Sequence, residues 1–160
     1  MKILIEPPSW IGDAIMATPA IENLIKFYDK PDITLIGSSA SIEILKKNPN
    51  VNKSIVLDKN YLAIIRVAKN LKNFELFISF RNSNRSKIFK FLISSAKKFQ
   101  FNKGKYKELH QVEKYNNFIN DALNQDFKVG KLVIRTDLNL NQKNKKKVMG
   151  INPGASYGDA

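Results

Sequence analysis

The beginning of the chain reads Ile3-Leu4-Ile5-Glu6-Pro7-Pro8-Ser9-Trp10-Ile11-Gly12-Asp13-Ala14-Ile15-Met16. The apolar run indicates a short buried strand, which ends at the prolines because proline cannot donate to a strand ladder. A turn with Gly12 is expected next, and then a helix that begins around Asp13. In open α/β folds ligands bind at this strand-to-helix edge, where helix N-termini favour anions. Asp13 is therefore either a helix cap or a base, and local sequence allows both.

Strand patterns and amphipathic helix patterns alternate along the next hundred residues. The predicted strands are 3–5, 33–36, 54–57, 76–80 and 98–101, and the predicted helices are 17–28, 39–47, 61–71, 84–96 and 108–123. Thr18-Pro19 lies inside the first helical pattern and predicts either a kink or the start of a second helix. Repeated βα units predict an α/β fold, a Rossmann-like parallel sheet with helices on both faces.

The end of the chain differs in composition. Residues 137–147 are rich in Asn and Lys and are expected to form a linker. Residues 148–160 then begin a new strand pattern followed by the loop Asn152-Pro153-Gly154-Ala155-Ser156-Tyr157-Gly158. One strand cannot bury its own faces. We therefore expect a first domain over 1–136 and the truncated start of a second domain over 148–160.

The charge of the chain is strongly positive and unevenly placed. The formal net charge is +13, and the stretch from Arg81 to Lys107 contains nine cations and no acid. Such a block attracts anionic partners, although a Lys-rich surface is also the ordinary solvated exterior of a protein.

The composition also argues against several classes of protein. The absence of cysteine suits a reducing compartment, and with a single histidine it argues against a conventional zinc site. No apolar run approaches the roughly 18 residues of a membrane-spanning helix, and no secretory signal peptide is expected.

Three motifs occur in a characteristic order. The stretch Ser9-Trp10-Ile11-Gly12-Asp13-Ala14-Ile15-Met16-Ala17-Thr18-Pro19-Ala20 resembles the opening motif of the bacterial lipopolysaccharide heptosyltransferases, glycosyltransferase family nine, most closely the heptosyltransferase II branch. The stretch His110-Gln111-Val112-Glu113-Lys114-Tyr115 is similar to the family's His-x-Val-x-x-Tyr helix. The loop at 152–158 is similar to the one that opens the family's second domain. The resemblance implies the N-terminal, acceptor-binding domain of a GT-B glycosyltransferase and covers about half of a family member.

The resemblance implies an ADP-heptose:lipopolysaccharide heptosyltransferase, here as an N-terminal half expected to be inactive alone. Asp13 would then be the catalytic base, which takes the proton of the attacking acceptor hydroxyl during an inverting transfer. A helix-capping or dipole-complementing role for Asp13, worth about 0.5–2 kcal/mol, is the alternative. The implied partners are ADP-heptose, the glycolipid of the lipopolysaccharide inner core and the cytoplasmic surface of the inner membrane. No metal, further cofactor or nucleic acid is implied.

The other site candidates divide between donor and acceptor. Ser9 and Gly12 would let the backbone approach the donor phosphates, and Ser156 is a candidate contact to the diphosphate; turn or cap roles are their alternatives. The acceptor candidates are Trp10, Arg81, Asn82, Arg85, Lys105 and His110. Arginine suits bidentate binding of carboxylate or phosphate, whereas solvated loop cations are the alternative. Trp10 would otherwise cover the sheet end, and His110 would otherwise be a partly buried structural histidine.

Two other interpretations remain open at this stage. The positive charge fits a module that binds nucleic acid or an anionic surface, although few aromatic residues interleave with the lysines as a stacking platform. A non-functional truncated remnant that folds without doing chemistry is the second.

Overall fold

The computed structural model describes residues 1–58, 60–71, 73–136 and Met149. The predicted linker and the predicted start of a second domain, including Ser156, lie outside the described residues apart from Met149. The elements are β1 (Lys2–Glu6), α1 (Ile11–Met16), α2 (Thr18–Phe27), β2 (Asp32–Gly37), α3 (Ser39–Leu45), β3 (Val51–Val56), α4 (Tyr61–Asn70), β4 (Phe74–Ser79), α5 (Asn84–Leu92), β5 (Ser95–Gln100), a 3-10 turn (Lys103–Tyr106) and α6 (Gln111–Leu123).

The five strands form one parallel sheet in the order β3-β2-β1-β4-β5. The central strand β1 is buried on both faces, which is why its sequence is a continuous apolar run rather than an alternating one. Strand order reverses between β1 and β4, and in doubly wound folds the crevice at such a reversal is where ligands bind. The predicted α/β fold is confirmed.

Each face of the sheet has its own apolar core. The first, which we call the α6 face, packs α1, α2 and α6 on Ile3 and Ile5 of β1. Rings of Phe80, Phe101, Tyr115 and Phe118 meet there with centroids 5.1–5.7 Å apart. The second, the α4–α5 face, packs α4 and α5 on Leu4 of β1 and Phe77 of β4.

A return segment after α6, residues 125–136, closes the α6 face. The Asn23 amide of α2 donates to the carbonyl of Lys128 at 3.1 Å, and the backbone N–H of Val133 donates to the Thr18 hydroxyl at 3.0 Å. Arg135 binds both carboxylate oxygens of Glu22, at 2.7 and 3.1 Å. These bonds tie a stretch without helix or strand to the outer side of α2.

The first helical region differs from the prediction in two ways. The helix begins at Ile11, so Gly12 lies inside its first turn and the predicted turn at Gly12 is wrong. Of the two predictions for Thr18-Pro19, the second helix is confirmed, with Pro19 in the first turn of α2. The Thr18 hydroxyl donates to the Ile15 carbonyl at 2.7 Å and does not cap α2.

The predicted helix over 84–96 is too long. The structure ends α5 at Leu92, because Ile93 is already extended with ψ 138° and starts the connection to β5. Residues 93–96 contain no Gly or Pro to mark the end of a helix, and Ile93 is buried in the core of the α4–α5 face.

Candidate active site

The loops that follow the strands meet at the carboxyl edge of the sheet because all the strands run in one direction. This edge is built from residues 7–10 after β1, Ser38 after β2, 57–60 after β3 except residue 59, 80–83 after β4 and 101–110 after β5. The sequence-predicted residues among those described sit on or beside these loops, and they fall into separate groups.

Asp13 lies in the first turn of α1, on the third residue after the N-cap Trp10. The structure shows no side-chain hydrogen bond that caps α1, so Asp13 does not act as its cap. Within the part of the chain that the structure describes, the half-buried Asp13 carboxylate takes part in no hydrogen bond or ion pair. Its position still suits the helix dipole, and both of its oxygens remain available as acceptors.

Helix α6 brings Tyr115 close to Asp13. Burial and, next in size, the negative charge of Asp13 raise the pKa of Tyr115, while a hydrogen bond with Gln111 opposes the rise. The ring packs edge to face against Phe80, with centroids 5.4 Å apart. Tyr115 is therefore a neutral phenol that forms one wall beside the carboxylate. Sequence analysis included Tyr115 in a motif without giving it a role.

A groove of about 400 Å³ opens at the same edge, across the ends of β1 to β4. Two arginines, Arg81 and Arg85, give it positive charge, and its other lining residues are Ser9, Ser38, Ser39, Leu57 and Asp58. The structure thus brings two predicted acceptor residues together with Ser9, which was predicted for the donor. Asp13 does not line this groove.

Arg81 is anchored by a buried carboxylate at the end of β1. Glu6, only 1% exposed, accepts hydrogen bonds from Arg81 Nη1 at 3.3 Å, from the Ser79 hydroxyl at 2.7 Å and from the Ser86 hydroxyl. Burying a carboxylate is costly unless it is paired in this way. The network fixes the guanidinium at the groove wall and joins β1, β4 and α5. The sequence signal for Glu6 was a lone acid ending an apolar strand.

Arg85, in the first turn of α5, is only partly satisfied. Its Nη2 donates to the main-chain carbonyl of Asp58. Its buried Nε has no hydrogen-bond partner among the described residues. An unpaired buried donor costs about 1–3 kcal/mol.

The remaining acceptor candidates do not line the groove. Trp10 and Asn82 are exposed near the edge. The Lys105 ammonium is 2.7 Å from the Asp121 carboxylate and 5.6 Å from the ring centroid of Tyr106. Its positive charge is therefore paired near α6 rather than in the groove. Burial opposes ionisation of Asp121, but hydrogen bonds from Lys105 and Tyr106 outweigh it and lower the pKa of that carboxyl.

His110 is the N-cap of α6. Its Nδ1 accepts from the backbone N–H of Val112 at 3.4 Å, and the Glu113 carboxylate accepts from the backbone N–H of His110 at 3.0 Å. His110 is thus hydrogen-bonded, as a structural histidine would be, but it is exposed rather than partly buried. Gly12 faces open space, since an added Cβ would meet nothing within 4 Å.

Two features are absent from the described residues. No group of three His, Asp or Glu side chains within residues 1–136, gaps at 59 and 72 excepted, is placed to hold a metal ion. Over the same residues no helix is long and apolar enough to cross a membrane.

The fold is that of the family-nine glycosyltransferases. The structure of such an enzyme from Veillonella parvula superposes with a TM-score of 0.67 over 84% of this chain and 44% of that one, at 21% identity. E. coli ADP-heptose lipopolysaccharide heptosyltransferase II superposes with a TM-score of 0.63 over 85% and 47%, at 19% identity. At these identities the likeness concerns the fold.

Sequence comparison is more specific. The chain is 37% identical over 168 residues to lipooligosaccharide heptosyltransferase 2 of Campylobacter jejuni, covering all of this chain and 52% of that protein. The protein of the same name from Haemophilus ducreyi is 30% identical over 102 residues, 60% of this chain and 29% of that protein. No family model matches. The chain is thus homologous to the N-terminal half of the lipooligosaccharide heptosyltransferases and spans about half the length of the C. jejuni protein.

Proposed function

We propose that this chain is the acceptor-side half of an ADP-heptose:lipopolysaccharide heptosyltransferase in which Asp13 is the general base. The observation that carries the proposal is the Asp13 carboxylate, which lies in the first turn of α1, does not cap it and has no partner among the described residues. The homology to heptosyltransferases over the whole chain supports the choice of reaction.

The proposed reaction is a direct displacement. The acceptor hydroxyl oxygen forms a bond to the anomeric carbon of the heptose, while the bond from that carbon to the diphosphate oxygen breaks and ADP leaves with the electron pair. The hydroxyl proton passes to Asp13. The diphosphate is a good leaving group, so one carboxylate is enough, and attack from the opposite side inverts the anomeric centre.

The groove is the proposed acceptor site. Arg81, fixed by Glu6, and Arg85 both line the groove, and we expect their guanidinium groups to bind the carboxylates and phosphates of the inner core. Trp10 and Asn82 remain proposed acceptor contacts at the rim. Lys105 and His110 are weaker candidates, because an ion pair with Asp121 and a helix cap already account for them.

The donor is proposed to bind on the other side of the acceptor, between this half and a nucleotide-sugar domain. Ser9 and Gly12 would contact donor phosphates through the backbone, and the open space beside Gly12 leaves room for them. Ser156 stays a proposed diphosphate contact. ADP-heptose is the only small molecule the reaction needs, with no metal or cofactor. The proposed place of work is the cytoplasmic surface of the inner membrane.

The test is heptose transfer by this chain joined to the C-terminal half of the C. jejuni relative. Asp13→Asn keeps the size of the side chain and removes the base, so we expect kcat to fall about 10²–10⁴-fold. Asp126→Asn, at an exposed carboxylate on the return segment, is the matched control and should keep full activity. Full activity of Asp13→Asn would refute the assignment of the base.

The nucleic-acid alternative is not favoured, because the whole chain aligns with heptosyltransferases. Filter binding of an oligonucleotide over a salt series is the direct check, since true binding would weaken steeply with salt. We expect no specific retention.

A further inference from the structure

Five large apolar side chains stay exposed on the α4–α5 face. Leu62 is 69% exposed and Phe91 is 85% exposed, and Ile65, Ile88 and Leu92 are about 40% exposed or slightly less. We call these five residues the α4–α5 patch. Single exposed apolar residues are common, but a group on two neighbouring helices usually marks an interaction surface.

Helix geometry places the patch residues along the seam between the two helices and on their outer sides. Ile64 of α4 and Phe89 of α5 point into the core beneath the two helices, which pack side by side. Right-handed crossovers and 3.6 residues per turn then place Ile65 on the side of α4 that faces α5, and Ile88 on the side of α5 that faces α4. Leu62 and Phe91 rise above this seam towards solvent.

The two helices carry charge of one sign only. Neither α4 nor α5 contains Asp or Glu. Arg66, Lys69, Lys87 and Lys90 lie on these helices, and none of the four forms an ion pair with another described residue. The surface therefore combines apolar side chains with uncompensated cations, which is complementary to an anionic, partly apolar partner.

Other occupants fit this charge less well. A second copy would bring the same cations against each other, and like charges across an interface cost affinity. The rest of this chain, residues 137–160, contains four Lys and two Asp and is itself net positive. An anionic lipid bilayer satisfies both features, because its headgroups attract the cations and its interface accepts the apolar side chains.

We propose that the α4–α5 patch is the surface by which this protein binds an anionic lipid bilayer. The groove with Arg81 and Arg85 opens at the N-terminal ends of the same two helices. A bilayer against the patch would thus present lipid headgroups next to the groove. The biological meaning of this placement rests on the proposed function, which gives the enzyme a glycolipid acceptor, but the binding itself is independent of transfer.

The experiment is co-sedimentation of the full 160-residue chain with vesicles of phosphatidylcholine, with or without phosphatidylglycerol. We expect binding to the mixed vesicles and little to phosphatidylcholine alone. The double variant Leu62→Ser/Phe91→Ser should weaken binding about 10-fold or more. The matched control is Leu132→Ser/Ile134→Ser, which removes two apolar side chains that are 52% and 57% exposed on the return segment, and it should bind like the parent.

A second pair of variants tests the charge. Lys87→Gln/Lys90→Gln should lose most binding to the mixed vesicles, whereas Lys26→Gln/Lys30→Gln, at exposed lysines of α2 and the turn after it, should not. Circular dichroism confirms that each variant is folded. Equal binding to both vesicle types, parent-like binding of Leu62→Ser/Phe91→Ser, or a dimer that this variant dissociates in sedimentation velocity would each overturn the proposal.

Different results would refute the proposed transfer reaction and the proposed bilayer surface. Transfer to a soluble, lipid-free inner-core acceptor by the joined protein should be unaffected by Leu62→Ser/Phe91→Ser. If Leu62→Ser/Phe91→Ser loses vesicle binding but transfers heptose normally to the soluble acceptor, both proposals are supported. Normal transfer that depends on Asp13, without any vesicle binding, refutes the bilayer surface alone.

Discussion

The two helical layers of this protein differ in how their outer surfaces are covered. On the α6 face, four aromatic rings fill the space under α6, and the return segment is hydrogen-bonded across α2. On the α4–α5 face, the helices cover the sheet with Phe77 and Phe89 in contact, but nothing in the described part of the chain covers Leu62 and Phe91. The first layer is covered by a later segment of the chain, although Leu132 and Ile134 of that segment are themselves 52% and 57% exposed. The second layer exposes Leu62 and Phe91 directly on its helices.

The largest stability difference should separate two phenylalanines. Phe118→Ala removes a ring that is 5% exposed in the aromatic cluster and should lower the free energy of unfolding by about 3–5 kcal/mol. Phe91→Ala removes a solvent-facing ring and should change it by less than about 0.5 kcal/mol. Urea unfolding followed by circular dichroism measures both. Similar losses would mean that the α4–α5 patch is part of a core.

The second prediction concerns the buried network at the end of β1. Glu6→Ala leaves the Ser79 and Ser86 hydroxyls and Arg81 without their shared acceptor, and we expect a loss of about 3 kcal/mol by urea unfolding. Glu43→Ala, which removes an exposed carboxylate in a surface ion pair with Lys46, is the control and should cost far less. A small loss for Glu6→Ala would show that the network does not hold β1, β4 and α5 together.

The return segment provides a smaller effect. Asn23 is nearly buried and donates to the Asn116 side chain at 2.8 Å and to the Lys128 carbonyl at 3.1 Å. Asn23→Ala should cost about 1–3 kcal/mol, because it leaves these acceptors unpaired. Hydrogen exchange should show faster opening at Val133 and its neighbours. Unchanged protection there would mean that the segment is held by its other contacts, such as Arg135 with Glu22.

The smallest predicted effect is a pH dependence on the α6 face. Lys105 and Tyr106 lower the pKa of Asp121 below its ordinary value of 3.8. A carboxyl with a lowered pKa stabilises the folded state above its unfolded pKa, and this contribution is lost as the pH falls below about 3.8. Asp121→Asn should therefore be slightly less stable than the parent at pH 7, by under about 1 kcal/mol at this half-exposed site. The difference should vanish in acid unfolding experiments, and a difference that grows in acid would contradict the assignment.

Much of the fold follows from local pattern. The strand runs and helix periods predicted the alternation of elements, because burial on both faces of a parallel sheet demands long apolar runs. The errors lie where a local pattern had two solutions. Gly12 is compatible with a turn and with a helix, and the stretch after Leu92 carries no Gly or Pro that would mark the end of α5.

The candidate site was predicted less completely. Position near a strand end was enough to find Asp13, Arg81 and Arg85, since parallel strands bring their following loops to one edge. Lys105 and His110 satisfy the same rule but are engaged elsewhere. Glu6 was missed because its partners lie 73 to 80 residues away along the chain.

The sequence by itself determined the order of strands and helices, the parallel sheet they build, the surplus of positive charge and the homology to heptosyltransferases. Each of these follows from local periodicity, composition or a short motif. Only the tertiary structure decided that Asp13 is not a cap, that Ser9 shares a groove with two arginines and that five apolar residues of α4 and α5 are exposed. The physical reason is that partners and exposure depend on which distant segments pack together. Side chains of the same type thus become core, cap or contact surface according to their neighbours.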